Sequence, residues 1–300
     1  MKKIFFVIGA LFSGLGFLLS GCGGTLGNPM QKITIADAGA YAVECPGSTV
    51  REYVNVGHGQ DMADISEFTV EAWIKTSKGG TIFSRFKKAF LYVDSSDNLA
   101  KFGIDNETQV VSSFTPVNDG SWRHVAGVLV DGLHQHPDTT GIGGTCDNAA
   151  ASGTHLDMYV DGVWEDCAPT AFPVDIDCSD CVNTICRHLG TVVPGPDRIY
   201  NGVVDEVRLW KEARSPEQIK KWMRTEISGT DWDTADPGML NIIGYWKFNE
   251  GKGAVATDSS GYGHTGTKLK CDDPDTCNVA GQEKSTPWTG GWVDGYSFLY

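Results

Sequence analysis

Apolar and polar residues alternate along several short stretches in the middle of the chain. In residues 68–75, FTVEAWIK, the apolar Phe68, Val70, Ala72 and Ile74 fall at every second position, the pattern of a strand with one buried face. Other strand-like runs, separated by Gly, Asn and Asp turn residues, occur at residues 89–104, 122–132, 156–166 and 201–210. The pattern predicts an all-β fold, a sandwich of two antiparallel sheets.

Two of these runs carry the turn residues of a hairpin. Residues 89–104 consist of two strand patterns around an Asp/Ser/Asn turn, and Asp161-Gly162 is a tight-turn pair inside residues 156–166. We therefore expect one hairpin in each run.

One segment has helical periodicity instead. Ser215 is followed by Pro216 and, three positions after the serine, by Gln218, which together predict a capping box at a helix start. The apolar residues that follow share one face at helical spacing; they are Ile219, Trp222, Met223 and Ile227. The sequence predicts a single short amphipathic helix packed on an end or side of the sandwich.

The N-terminus has the layout of an export signal. Residues 1–22 contain two lysines, an apolar run and small residues that end at Cys22. Leu19-Ser20-Gly21-Cys22 resembles a lipobox, which implies lipidation of Cys22; cleavage without lipidation is the alternative. Residues 23–31 form a predicted flexible tether, and residues 32–300 a single domain. We expect an outer-membrane lipoprotein that faces the periplasm or the cell surface.

The charge balance excludes one class of partner. The chain carries 24 Lys and Arg against 38 Asp and Glu, a net charge of −14, and loss of the two leader lysines makes it more negative. Because such a chain repels phosphate backbones, we expect no nucleic-acid partner.

The cysteines that remain after Cys22 favour disulfides. An even number in an exported chain is typical of an oxidising compartment; the eight residues are Cys45, Cys146, Cys167, Cys178, Cys181, Cys186, Cys271 and Cys277. Their pairing stays open, although Cys271 and Cys277 could close a local loop and Cys146 and Cys167 could staple a hairpin. The alternative for Cys178-x-x-Cys181-x4-Cys186 is a metal site.

With the strands in this order, the sequence resembles the LamG-like jelly-roll proteins of the concanavalin A-like lectin/glucanase superfamily. The motifs that carry the resemblance span most of residues 50–268; they are FTVEAWIK, TIFSR, DGSWRHVAGVLVDG, LDMYVDGV, YNGVVDEVRLWKEARSPEQI and IGYWKFNEGKGAVATDSSGYGHTGT. The resemblance implies a two-sheet jelly roll, often with bound calcium, that serves mostly as a binding or adhesion module.

The sequence also departs from two branches of that superfamily. Where pentraxins carry their calcium ligands, this chain reads FKKAF (86–90) and TVVPGPD (191–197), so their ligand site is not expected here. No E-x-D-x-x-E or E-x-D-x-E run of catalytic carboxylates occurs in the sequence. We therefore expect a non-catalytic module that binds a glycan or a cell-surface protein; the alternatives are a glycan hydrolase or lyase on the same fold and a purely structural envelope protein.

Two aspartates are candidate ligands of a structural calcium ion. Strict alternation places Asp205 on the same face as Val203, Val207 and Leu209, where a carboxylate needs backbone amides, a paired charge or a cation. The resemblance implies that an aspartate in this strand can hold calcium, an ion that takes oxygen ligands. Asp258 lies in a glycine-rich turn that we expect to close the sandwich with an added strand.

The same glycine-rich stretch is not a phosphate-binding loop. It closes with Gly266-Thr267-Lys268, whereas a Walker loop has its lysine before the hydroxyl residue and enters a helix.

The remaining candidates are histidines and tryptophans. His134, His136 and His155 could converge at the mouth of a hairpin as a zinc site, the alternative being solvated loop side chains, and we expect His124 to be structural. Exposed tryptophans could stack on sugar rings; the candidates are Trp164, Trp232, Trp288 and Trp292.

Overall fold

A computed structural model describes ten segments of the chain: residues 41–47, 52–58, 65–86, 88–105, 107–132, 153–170, 181–188, 199–227, 240–271 and 285–296. The elements in these segments are β1 (Ala42–Pro46), β2 (Glu52–Gly57), β3 (Phe68–Arg85), β4 (Ala89–Val93), β5 (Leu99–Ile104), β6 (Gln109–Pro116), β7 (Trp122–Val130), β8 (His155–Val160), β9 (Val163–Pro169), β10 (Asn183–Ile185), β11 (Asn201–Trp210), α1 (Pro216–Trp222), β12 (Ile242–Trp246), β13 (Val255–Ala256), β14 (Gly266–Cys271), β15 (Ser285–Pro287) and β16 (Trp292–Val293).

The strands form two antiparallel sheets that share β3. Its first half pairs with β7 and β11, and β8 and β9 extend that sheet beyond β7. On the far side of β11 lie β1 and β12, followed by β16 on β1. We call this sheet A. The all-β, two-sheet antiparallel jelly roll predicted from the sequence is confirmed.

Sheet B is built on the second half of β3. On one side it continues through β4 and β5 to β6, and on the other through β10 and β2 to β14, which also pairs with β13 and β15. Gly79 and Gly80 lie between the two halves of β3 with positive φ angles of 129° and 114°. A Cβ on Gly80 would lie 2.3 Å from the carbonyl oxygen of Ile199, so this change of sheet requires glycine.

The main core lies between the two sheets. Phe68, Val70, Ala72 and Ile74 all belong to it, as the alternation predicts. The opposite face of the same run is buried too, with Thr69, Glu71 and Trp73 at most 3% exposed. The expectation of one solvent-facing side is therefore wrong for this half of β3, because further elements cover the outer face of sheet A.

Helix α1 is one of those covering elements. Ser215 caps it, its side chain accepts a hydrogen bond from the backbone of Gln218, and the Gln218 side chain returns one to the backbone of Ser215, so the predicted capping box is confirmed. Ile219 packs against Tyr159 and Trp164, and Trp222 packs against Trp210 and Tyr245. The helix therefore lies against the outer face of sheet A.

A β-bulge changes which face of β11 carries Asp205. Val204 pairs with Ile74 and Asp205 with Trp73, after which the register shifts before Arg208, and Glu206 has a positive φ of 52°. Because opposed residues share a face, Asp205 lies on the outer face with Trp73. The prediction from strict alternation, which grouped Asp205 with the core residues Val207 and Leu209, is wrong.

The other local predictions agree with the structure. The 89–104 hairpin forms from β4 and β5, and the turn between β8 and β9 is Asp161-Gly162, with φ angles of 52° and 75°. After β12 the chain returns to sheet B, where β14 pairs with β2. The glycine-rich stretch therefore closes the sandwich with an added strand. Within the described residues, the structure contains no helix that is both long and apolar enough to cross a membrane.

Four of the cysteines predicted to form disulfides have side chains within the described residues. Cys45 on β1 bonds to Cys186, 141 residues away, and Cys167 and Cys181 are disulfide-bonded as well. Cys186 and Cys181 are therefore not available as thiolate ligands, which argues against the metal alternative for Cys178-x-x-Cys181-x4-Cys186. Cys22, Cys146, Cys178 and Cys277 lie outside the described residues, as does the side chain of Cys271.

The Cys45–Cys186 bond predicts a large loss of stability when it is removed. Replacing both cysteines by alanine should lower the free energy of unfolding by about 2–5 kcal/mol, since the bond closes a long loop in the unfolded chain. Guanidinium unfolding of both proteins under oxidising conditions measures the difference. Equal unfolding midpoints would show that the bond adds no stability.

Candidate functional site

Two of the tryptophans suggested by the sequence enclose a lysine at the edge of sheet B. The ammonium nitrogen of Lys268 lies 3.9 Å from the ring centroid of Trp292 and 4.4 Å from that of Trp288, within the range of cation–π attraction. Both tryptophans are partly buried and pack against the main core. We call Lys268, Trp288, Trp292 and Tyr41 the tryptophan surface.

The strand pairing explains why these residues meet. Lys268 on β14 is opposite Val54 of the core, so its side chain points between the sheets rather than outward. The backbone N–H of Trp288 donates to the backbone carbonyl of Lys268 at 2.8 Å. Trp292 reaches the same place from the other sheet, because β16 sets it opposite Val43 on β1.

The tryptophan rings are held in place by backbone contacts. The indole nitrogen of Trp292 donates to the carbonyl of Gly253 at 3.1 Å. Gly291 has a φ of 73°, and a Cβ there would come within 1.9 Å of the Trp288 ring, so only glycine fits beneath this ring. Tyr41, which is 41% exposed, packs on Gly251 in the turn that contains Gly253. The surface thus presents aromatic rings in fixed orientations.

Lys268 is buried without a direct ion pair among the described residues. Its ammonium group donates to the carbonyl of Gly290. Burial lowers the pKa of Lys268 to about 8, although the negative charges of Glu52 and Glu250 oppose the shift. Burial also raises the pKa of Glu52, and Lys270 and Lys268 oppose that shift. Within the sandwich, the Lys268 side chain therefore mainly supports the rings of Trp288 and Trp292.

A second polar cluster lies beneath helix α1. The guanidinium of Arg208 is 2.7 Å from Glu206 and 3.7 Å from Glu71, and it also donates to the carbonyl of Trp222 at 2.8 Å. The hydroxyl of Tyr245 donates to Glu206. All of these charged side chains are at most 2% exposed, so the cluster joins the helix to the outer face of sheet A.

The carboxylates of this cluster differ in their pKa shifts. Burial favours a raised pKa for Glu71, but the hydrogen bond from His124, the His124 charge and Arg208 outweigh it and lower that pKa to about 2. Burial and then the charge of Glu206 raise the pKa of Asp205 well above its ordinary value. Burial also raises the pKa of Glu206 despite the opposing Arg208. Asp205 and Glu206 are therefore adjacent acids that favour binding a proton.

Asp205 itself is bonded by backbone amides. Its Oδ1 accepts from the N–H of Glu206 at 2.9 Å and its Oδ2 from the N–H of Tyr296 at 2.8 Å. Asp258 is similarly occupied, because its Oδ1 accepts from the amides of Tyr245 and Ser260, and its Oδ2 accepts from the Ser260 hydroxyl and another amide.

These contacts do not fit a calcium site at either aspartate. Calcium takes six to eight oxygen ligands, whereas N–H and O–H donors occupy both carboxylates. The described residues contain no group of three or more His, Cys, Asp and Glu side chains placed to hold a metal ion. The structural calcium at Asp205 and Asp258 stays a prediction that these contacts do not support.

The remaining candidate residues, three histidines and two tryptophans, lie in different parts of the chain. His155 is buried at the start of β8, with Nδ1 3.0 Å from the carbonyl of Gly153, while His134 and His136 lie outside the described residues, so the zinc site is untested. Trp164 is only 4% exposed and donates to Asp157, so its prediction as an exposed sugar-stacking residue is wrong. Trp232 lies outside the described residues.

Two residues of functional interest carry no clear signal in the sequence. In the sequence, Lys268 belongs only to a pattern that fails to match a phosphate-binding loop, and its position between the tryptophans depends on strands that meet from opposite sheets. Tyr296 lies beyond the motifs that carry the family resemblance, yet its ring stacks on Trp73. Contacts between residues so far apart in sequence leave no periodic pattern.

Comparison with known proteins agrees with this architecture. Residues 48–135 match a laminin G family model described as the concanavalin A-like lectin/glucanases superfamily. The jelly roll of that superfamily is thus the class of fold that this chain adopts, as its sequence motifs predict. No curated protein matches the chain.

Solved structures with similarity to this chain come from several sources. A Bacteroides ovatus ATCC 8483 protein provisionally described as carbohydrate-binding has 20% identity and a TM-score of 0.52, with 77% of this chain and 58% of that chain covered. This chain therefore spans little more than half of that protein. Domains LG4-5 of the mouse laminin alpha1 chain have 13% identity, coverage of 63% and 48%, and a TM-score of 0.41.

A further structure is domain 4 of AbnA, a GH43 extracellular arabinanase from Geobacillus stearothermophilus, in complex with arabinotriose. It has 15% identity and a TM-score of 0.41, with 60% of this chain and 75% of that chain covered. Identities this low show no shared ligand or activity.

The raised pKa of Asp205 predicts an unusual pH dependence of stability. Its pKa is higher in the folded than in the unfolded state, so the native state binds more protons between the two values and the free energy of unfolding falls as pH rises through that window. Asp205→Asn should remove much of this loss. The stability of the variant relative to the wild type should therefore be greater at about pH 8 than at about pH 5. Urea unfolding of the wild type and the variant over this pH range measures the difference in their free energies of unfolding.

Glu71→Gln is the matched control, because its pKa is shifted in the opposite direction. The ionised Glu71 contributes stability above its unfolded pKa, and this contribution is lost as pH falls towards about 2. Glu71→Gln should therefore flatten the acidic side of the profile and leave the alkaline side unchanged. If Asp205→Asn follows the wild-type slope between about pH 5 and about pH 8, Asp205 is not the titrating group.

Proposed function

We propose that the protein is a non-catalytic glycan-binding module and that the tryptophan surface contacts the glycan. The observation that carries the proposal is the pair of partly exposed rings, Trp288 and Trp292, fixed on either side of Lys268. An aromatic face can cover the apolar C–H face of a sugar ring, and an indole or phenol group adds a polar edge.

The arrangement favours binding because its rings are already ordered. Trp292 is tied to Gly253 through its indole nitrogen, and Gly291 leaves no space beneath Trp288 for a side chain. A ligand that meets rigid rings loses less conformational entropy than one that must order them. Tyr41, on the neighbouring turn, extends the exposed aromatic area.

The type of ligand follows from the surrounding charge. Lys268 is engaged with a backbone carbonyl and with both rings, and the chain is acidic overall. A neutral glycan therefore fits better than a polyanion. The provisional description of the Bacteroides ovatus protein as carbohydrate-binding supports the same class of ligand.

The proposed location is the outer membrane, with the module attached through a lipid on Cys22. The lipobox-like Leu19-Ser20-Gly21-Cys22 supports this part of the proposal. A lipidated N-terminus followed by a glycine-rich tether would leave the module free to meet glycans close to the envelope.

Removing one ring should weaken glycan binding. We expect Trp292→Ala to raise Kd by roughly tenfold or more, since a lost aromatic stack costs about 1 kcal/mol beyond the buried area. Wild-type protein on a glycan array first identifies the bound sugars, and titration calorimetry then compares the variants. Repeating the array with a calcium chelator tests the calcium prediction separately.

Phe114→Ala is the matched control for Trp292→Ala. Phe114 is an aromatic residue with 49% exposure on β6, at the opposite end of sheet B from β14, so its loss should leave glycan affinity unchanged. Equal weakening by both variants would contradict a site at the tryptophan surface. Turnover of a bound polysaccharide would overturn the non-catalytic assignment.

The membrane anchor has its own test. Cys22→Ser should release the protein from the membrane fraction, because no residue remains to carry the lipid. Gly23→Asp keeps Cys22 and introduces, directly after it, the aspartate of a pattern that resembles an inner-membrane retention signal, so this variant should stay membrane-bound. Cell fractionation with immunoblotting measures both, and a membrane-bound Cys22→Ser protein would contradict the lipid anchor.

A further inference from the structure

The outer face of sheet A carries an aromatic pocket that the chain itself fills. The ring of Tyr296 stacks on Trp73 with centroids 3.6 Å apart and planes 12° apart, and it meets Trp122 edge-on at 5.7 Å. Its backbone N–H donates to Asp205 at 2.8 Å. One residue thus supplies a flat ring between two tryptophans and a hydrogen-bond donor to a buried carboxyl group.

The residues around this ring share one face because of the strand register. Trp73 is opposite both Asp205 on β11 and His124 on β7, and Lys75, two residues further along β3, is opposite Trp122. Opposed residues in an antiparallel pair place their side chains on the same face. The floor of the pocket is therefore formed by three adjacent strands, which fix its geometry.

The polar groups at the pocket are varied. Asp205 is fully buried beneath Tyr296, whereas Lys75 is exposed beside it. The His124 ring packs edge-on against Trp73, and its Nδ1 atom is buried without a hydrogen-bond partner among the described residues. A pocket with one stacking surface and several hydroxyl-binding groups suits a neutral sugar ring.

The segment that fills the pocket has a short backbone pairing with sheet A. We call residues 292–296 the strap. It is joined to sheet A through the two residues of β16, Trp292 and Val293, and the next residue, Asp294, is exposed. Tyr296 is held by its stack on Trp73, its edge-on contact with Trp122 and the hydrogen bond from its amide to Asp205.

We infer that Trp73, Trp122 and Asp205 form a second sugar-binding site, for one neutral pyranose ring, and that Tyr296 occupies this site until a glycan displaces it. The stacked phenol ring takes the place of the pyranose, and the Tyr296 amide takes the place of a sugar hydroxyl at Asp205. This inference does not depend on the tryptophan surface, which lies around Lys268.

Displacing the strap should increase affinity for a simple sugar. Only the fraction of molecules with an open site can bind, so the apparent Kd of the wild type equals the intrinsic Kd divided by that fraction. We expect Tyr296→Ala to bind methyl glucoside or methyl galactoside at least about tenfold more tightly than the wild type. Tyr296→Phe retains the ring and the amide and should behave as the wild type. Titration calorimetry measures all three proteins.

Two double variants assign the gain to a site. Tyr296→Ala with Trp122→Ala should lose the gain, because half of the aromatic pocket is missing. Tyr296→Ala with Trp288→Ala should keep it, because Trp288 belongs to the tryptophan surface. No gain in Tyr296→Ala overturns the second site. A gain that disappears with Trp288→Ala also overturns it but leaves the proposed function intact.

Hydrogen exchange on the wild-type protein provides a test that needs no substitution. The Tyr296 amide is protected by its bond to Asp205, so a saturating methyl glycoside that displaces the strap should accelerate its exchange. The Gly57 amide, which bonds to the side chain of Asn55 in sheet B, serves as an internal reference and should not change. Unaltered exchange of the Tyr296 amide at saturation would contradict displacement.

Discussion

The first half of strand β3 is buried on both faces, and the positions of the elements around it depend on this burial. Its first half supplies core residues to the space between the sheets and also carries Glu71 and Trp73 outward. A charged carboxylate beneath a helix is costly unless it is paired and hydrogen-bonded. Arg208, Trp210 and His124 meet this need at Glu71, so the neighbouring strands and helix α1 have to occupy defined positions.

The bulge in β11 is what makes this pairing possible. With Val204 facing the core, an uninterrupted strand would turn Val207 outward and Arg208 inward, whereas the extra residue at Glu206 lets Val204 and Val207 both face the core. The same irregularity places the side chains of Asp205 and Glu206 together on the buried outer face, where burial raises both pKa values and the charge of Glu206 adds to the shift of Asp205. A local departure from the ladder thus produces both the packing and the unusual electrostatics of the outer face.

Sequence reasoning succeeded where the signal is local. The period-2 run at residues 68–75, the Ser215 capping box and the Asp161-Gly162 turn each involve a few neighbouring residues and are confirmed. The face of Asp205 was wrong because one bulged residue reverses the alternation that follows it. The Cys45–Cys186 pairing and the enclosure of Lys268 depend on distant segments that meet only in the fold, so neither leaves a local pattern.

The two aromatic surfaces are connected through one short strand. Trp292 belongs to the tryptophan surface, and Tyr296, four residues later, fills the pocket on Trp73. Since β16 contributes only two residues to the ladder, a change at one end of the strap is opposed by few backbone hydrogen bonds. However, Trp292 is also held by its indole bond to Gly253 and by its packing on the core, so displacing Tyr296 leaves Trp292 in place and the two surfaces bind separately.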